Sequence, residues 1–301
     1  IGMLVGVLPG LGPTTAAALL LPLTFSMDPI AAIIMLCGIY YGSMYGGTIT
    51  SVLINAPGEA ASVVTCLDGY PMARQGRAGA ALGIAALGSF IGGTLSIVAL
   101  AFVGPPLARL ALNFGPAEYF ALIVLGLMMV IGLMGKSLIR GLVSALLGLV
   151  LCMVGLDEIS GTARFTFGQT SLLSGFEFVT VAMGLFGLSE VLLGMEQLGK
   201  TEKPAKVKGF LPRREEWRPS LMAILRGTGL GFLVGLIPGS NSVIPAVLSY
   251  SWEKKLAKDP SRFGKGAIEG VAGPETANNA YCGSALIPLM TLGIPSSPTI
   301  A

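Results

Sequence analysis

The 301-residue chain contains no histidine. That absence excludes imidazole acid–base chemistry, histidine proton relays and His-ligated metals. Charge is nearly as scarce: Asp, Glu, Lys and Arg make up 12% of the residues and mean hydropathy is +0.77, which points to a polytopic membrane protein. None of the four charged types occurs in 1–27, 29–58, 78–108, 119–135, 141–156 or 227–252. Several of these stretches exceed the ~20 apolar residues that cross a hydrocarbon core. A large soluble α/β protein would need polar faces on its surface helices, and these stretches have almost none. The four cysteines, Cys37, Cys66, Cys152 and Cys282, lack metal-ligand spacing, and three lie in apolar stretches, so they read as small buried side chains. A net charge of +3 gives no reason to expect a nucleic-acid partner. With no initiator Met and an apolar segment at residue 1, the chain is expected to be a fragment of a longer protein.

Glycine (43) and proline (19), by contrast, are abundant. In membrane helices glycine permits close packing, and both residues allow breaks where protein surrounds the backbone. The breaks recur in order. Gly6-Val7-Leu8-Pro9-Gly10 matches Gly235-Leu236-Ile237-Pro238-Gly239, and Asp28-Pro29 matches Asp259-Pro260. Tyr40-Tyr41-Gly42-Ser43 then corresponds to Tyr281-Cys282-Gly283-Ser284, and Ala56-Pro57-Gly58 to Ile294-Pro295-Ser296. Four ordered matches argue for internal duplication.

The expected fold is therefore all-α and polytopic, with duplicated halves built from discontinuous or re-entrant helices; the span count favours inverted repeats. Residues 1–195 form the first half, 196–220 a basic linker, and 221–301 the start of the second half. Within the first half, "CLDGYPMARQGRAG" reads as a polar connector in which Asp68 shapes a turn. An apolar span follows over 78–103, "GPPLARLALNFGPAE" reads as a turn plus a short helix, and further spans are expected at 117–135, 138–156 and 175–195. The linker holds seven basic residues, Lys200, Lys203, Lys206, Lys208, Arg213, Arg214 and Arg218, against four acidic ones, which places it in the cytoplasm. Alternation then puts 157–174 and 104–116 outside, and Arg74, Arg77, Lys136 and Arg140 inside. Asp157, Glu158 and Arg164 belong to an outside loop suited to meeting a delivery protein.

A Pro-Gly break leaves backbone groups unpaired at membrane depth, tolerable only inside protein or against a polar cavity. Helix N-termini so exposed attract anions, while carbonyl ends coordinate cations. Thr14, Thr15, Ser240, Asn241, Ser242, Ser296 and Ser297 follow the breaks directly, placed either to bind or simply to cap backbone. "GVLPGLGPTT" is no phosphate loop, because the Gly-Lys-Ser/Thr ending is missing and no basic residue occurs in 1–58. No base–nucleophile pair or metal cluster has recognisable spacing, so neither an enzyme nor a cofactor is expected.

The stretches "GVLPGLGPTTAAALLLPLTF", "GIYYGSMYGGTITSVLINAPGEAAS", "DGYPMARQGRAGAALG" and "GPETANNAYCGSALIPLMTLGIPSS" closely resemble the large membrane subunit of the bacterial tripartite tricarboxylate transporters. The resemblance covers essentially the whole chain. It implies a secondary carboxylate importer of the bacterial inner membrane, driven by a Na⁺ or H⁺ gradient. The implied partners are a small membrane subunit and a periplasmic solute-binding protein. On that footing the substrate carboxylates are expected at Gly10, Gly12, Thr14, Thr15, Gly239, Ser240 and Asn241, with Ser296 and Ser297 beyond the last break. Asn55, Glu59, Glu275, Asn278, Asn279 and Ser284 are the ion-coupling candidates, Glu59 because a lone carboxylate after a long uncharged run is functional by default at membrane depth. A channel-like passive anion pore is the competing reading.

Overall fold

The computed structural model describes residues 1–8, 12–111, 138–157, 161–176, 209–297 and 299–301, with isolated positions between 113 and 207. The expected spans at 117–135 and 175–195, and most of the linker at 196–208, lie outside the described residues.

The described chain is almost entirely helical. A short α1 (Gly2–Gly6) leads through the first break to α2 (Gly12–Thr24). Asp28 then caps α3 (Pro29–Ile54), its Oδ1 accepting from the backbone N–H of Ile30 at 3.0 Å. After the second break come α4 (Val63–Arg74), α5 (Ala78–Ala111) and α6 (Leu138–Cys152). A two-stranded hairpin, β1 (Gly155–Leu156) with β2 (Ala163–Arg164), closes this part, Asp157 ion-pairing with Arg164. The later part holds α7 (Trp217–Gly235), α8 (Val243–Leu256), α9 (Glu269–Ser284) and α10 (Leu286–Leu292).

Two of these helices, over Pro29–Ile54 and Ala78–Arg109, are long and apolar enough to cross a membrane. Ile30, Ile33 and Ile34 on α3 and Phe90, Ile97, Val98 and Phe102 on α5 are exposed, as are most side chains of α6. The polar material lies inside instead. All sixteen residues of α9 are buried, including Glu269, Glu275, Thr276, Asn278, Asn279 and Ser284. Around it pack α3, α4, α5, α7 and α8. An apolar exterior around a polar centre is the arrangement a helical protein needs in lipid.

Small residues make that packing possible. Gly227, Gly231 and Gly235 recur every fourth position on α7 and face Gly273, Ala277 and Ser284 of α9. A Cβ at Gly227 would stand 2.5 Å from the carbonyl oxygen of Gly273, a separation no side chain tolerates. Gly2 and Gly6 of α1 meet Gly42 and Gly46 of α3 in the same way. Such four-residue spacing of small side chains lets helix backbones touch.

Three sequence expectations change here. The polar connector is helix: Asp68 sits buried in the middle of α4, where its Oδ1 accepts from the N–H groups of Gly264, Gly266 and Ala267 at 2.9, 2.7 and 2.8 Å. Asp68 thus fixes the segment entering α9 instead of shaping a turn of its own. The turn expected at Gly104-Pro105-Pro106 does not form, since α5 continues to Ala111 and packs against α10. Packing there overrides a local signal of about 3 kcal/mol per interior proline. Finally, the span expected at 138–156 is shorter, ending at Cys152 before the hairpin.

Candidate functional site

Both first breaks end by starting a helix, and both helix starts face one cavity. Gly12, with φ +51°, turns the chain into α2, so that Pro13, Thr14 and Thr15 present its N-terminal turn. Asn241 opens α8, its Oδ1 accepting from the N–H groups of Val243 at 3.0 Å and Ile244 at 3.3 Å. Gly12, Thr14, Thr15, Asn241 and Ser242 all line a cavity of about 520 Å³. Tyr40 and Met44 of α3 and Ser297 and Thr299 from the end of the chain complete it. The hydroxyls of Thr14 and Thr299 lie 2.5 Å apart, joining the first break to the last segment.

The second break supplies the remaining wall through Pro57, Gly58, Glu59, Ala60 and Val63. It is seated by backbone contact. A Cβ at Gly58 would stand 2.5 Å from the Cα of Gly47 and collide with the carbonyl of Gly6. Only glycine fits where α1, α3 and this break meet. Glu59 then caps the turn before α4, its Oε2 accepting from Ala61 N–H at 2.8 Å, while Oε1 accepts from Asn278 Nδ2 at 3.1 Å. Glu59 is 7% exposed, on the cavity side, and Asn278 1%.

A second buried carboxylate lies nearby in α9. Glu275 is 1% exposed; Thr48 donates to its Oε2 at 2.6 Å, and Thr65 donates to its Oε1. Among the described residues neither Glu59 nor Glu275 makes an ion pair. An unpaired charge in a dry interior costs several kcal/mol, so two buried carboxylates without an ion pair are unusual.

The other candidates are spent elsewhere. Ser240 is buried behind the wall, its hydroxyl donating to the carbonyls of Ile237 at 2.7 Å and Val234 at 3.0 Å at the end of α7. Ser296 reaches the carbonyl of Ala285 at 3.4 Å, and Ser284 those of Gly231, Ala280 and Tyr281. Asn279 turns towards α5, donating to Ser89 at 2.8 Å. Asn55 is the exposed left-handed cap of α3, φ 55°, and Gly239 is a half-buried turn glycine with φ +76°. Gly10 lies outside the described residues. The sequence reading missed Tyr40, Met44, Val63 and Thr299 in the wall, and Thr48 and Thr65 on Glu275. Helical position alone marks Thr48, one turn beyond Met44 on the same face of α3.

The chain is 50% identical over 302 residues to an "Uncharacterized 52.8 kDa protein in TAR-I ttuC' 3'region" of Agrobacterium vitis, an alignment covering 100% of this chain and 60% of that protein. A second Agrobacterium vitis sequence, "Uncharacterized protein in TAR-II ttuC' 3'region", is 56% identical over 71 residues, 24% of this chain and 29% of its own length. The chain thus spans 60% of the length of the first of these relatives. No solved structure matches. With residues 1–301 matched throughout, the chain belongs to the tripartite tricarboxylate transporter TctA family.

Proposed function

We propose that this chain forms the substrate cavity of a carrier that takes up a small carboxylate across the bacterial inner membrane, driven by a cation gradient. The observation that carries the proposal is the convergence of the α2 and α8 N-termini, with Thr14, Thr15 and Asn241, on one cavity. A helix N-terminus favours an anion by ~0.3–1 kcal/mol, and by up to ~2 kcal/mol when partly buried. The volume of about 520 Å³ suits a small organic acid. Among the described residues no lysine or arginine lines it, so the anion is held by dipoles and neutral donors and is free to leave.

Coupling follows from Glu59 in the same wall. Two carboxylates about 4 Å apart repel by about 4 kcal/mol at an effective dielectric of 20. That offsets all that the two helix ends together return, even at ~2 kcal/mol each. The substrate therefore enters favourably only when a proton or a metal cation neutralises Glu59. The paired breaks, each followed by an aspartate cap at Asp28 or Asp259 and then by a left-handed cap at Asn55 or Gly293, support two duplicated units around the cavity. The family assignment supports the inner-membrane setting and a system completed by a small membrane subunit and a periplasmic binding protein.

Uptake of labelled citrate into proteoliposomes holding the complete complex tests this. Accumulation against a gradient, abolished when the cation gradient is dissipated, is expected. Passive flux unaffected by the gradient would favour an anion pore.

A further inference from the structure

Asn278 carries a feature that the cavity alone does not explain. Its Nδ2 holds Glu59, yet its Oδ1, on the same amide, is buried with no hydrogen-bond partner among the described residues. A buried acceptor left unsatisfied costs ~1–3 kcal/mol. This one sits at the end of a side chain in contact with an unpaired carboxylate, in the buried centre of the protein. A carboxylate and an amide oxygen on two side chains already in hydrogen-bond contact are ligands suited to a hard cation. Resting on the carboxylate-carrier reading above, we propose that Na⁺ binds between the Glu59 carboxylate and Asn278 Oδ1 and so converts a wall that repels carboxylates into one that admits them.

The geometry gives each partner a defined part. Glu59 supplies the charge, and because it lines the cavity, a cation held there faces the incoming substrate. Asn278 lies on the fully buried α9, so the amide is fixed by its helix. Glu275, one turn earlier on α9, takes its hydrogen bonds from Thr48 and Thr65 and does not line the cavity, so an ion held there would not face the substrate. Order of binding follows, with Na⁺ first and the carboxylate second.

The test uses ²²Na⁺ alone, with the purified full-length carrier in detergent and no carboxylate present. Wild type should bind saturably. Glu59→Gln, an isostere without charge, should abolish binding, and Asn278→Ala should weaken it about tenfold or more. Asn278→Asp, which keeps the oxygen and adds charge, should retain it, while Ser26→Ala in the exposed turn after α2 should match wild type. The Ala and Asp variants share a position, so their contrast survives any general loss of stability. Absence of saturable wild-type binding, or wild-type affinity in Glu59→Gln or in Asn278→Ala, would overturn the site. A separate citrate isotherm distinguishes the two readings. Citrate binding without Na⁺ binding defeats the Na⁺ site alone, including the case where a proton neutralises Glu59. Na⁺ binding without binding of citrate or any smaller carboxylate defeats the carrier reading alone.

Discussion

Asn278 Nδ2 donates to Glu59 Oε1 at 3.1 Å, linking residues 219 positions apart in the chain. The bond ties the second break to the central helix α9, and the break in turn forms one wall of the cavity. Any change at Asn278 therefore reaches the cavity through Glu59.

The cavity wall makes the first prediction. Asn241→Ala removes both the cap of α8 and a polar side chain that lines the cavity, and Thr15→Val removes a hydroxyl at the start of α2. Each should weaken carboxylate binding about tenfold, the value of one hydrogen bond to a charged group. Binding isotherms on detergent-solubilised complex measure this directly.

Ser240→Ala should behave differently, although it is the neighbour of Asn241. Its hydroxyl serves the carbonyls of Val234 and Ile237 and does not line the cavity. Carboxylate affinity should stay within about twofold, while stability falls by about 1 kcal/mol, read as a lower apparent melting temperature.

How far this was legible in sequence differs from residue to residue. The Pro-Gly breaks announced discontinuous helices, because the proline removes a donor and the glycine frees the turn. Glu59 stood out as the single charge after a long uncharged run. Ser240, Ser284 and Ser296 bond to nearby backbone carbonyls, the default of a buried serine, and nothing local in sequence shows whether such a hydroxyl faces a cavity. Asp68 did mislead. Its three partners lie almost 200 residues away, so a buried anchor looked like a polar turn. Thr48 and Thr65 gained meaning only when α9 brought Glu275 between them.

The Asp68 anchor predicts a large stability effect. Asp68→Ala leaves three backbone N–H groups of the 264–267 segment without their acceptor. A loss on the order of 3 kcal/mol is expected, with Asp68→Asn less damaging because an oxygen remains. Thermal unfolding monitored by size exclusion should rank wild type above Asn and Asn above Ala.

Helix contact on α7 gives a paired prediction. Gly231→Val drives a side chain into the Ala277 backbone, whereas Gly229, two residues earlier, faces open space. Gly231→Val should abolish a monodisperse carrier. Gly229→Val should leave it intact, at a cost below about 1 kcal/mol. Equal tolerance at both positions would contradict the packing of α7 on α9.

The central claim is that breaks from the two ends of the chain share one carboxylate site, and ligand protection of engineered cysteines tests it most directly. In a background lacking Cys37, Cys66, Cys152 and Cys282, Thr14→Cys and Asn241→Cys should each react with a small thiosulfonate, since both positions line the cavity. Ser240→Cys, buried behind the wall, should not. Saturating citrate, or whichever small carboxylate the complex binds, should slow labelling of Thr14→Cys and Asn241→Cys with the same half-maximal concentration. Protection at one position only, or at neither despite measured carboxylate binding, would show that the two breaks do not form a common site.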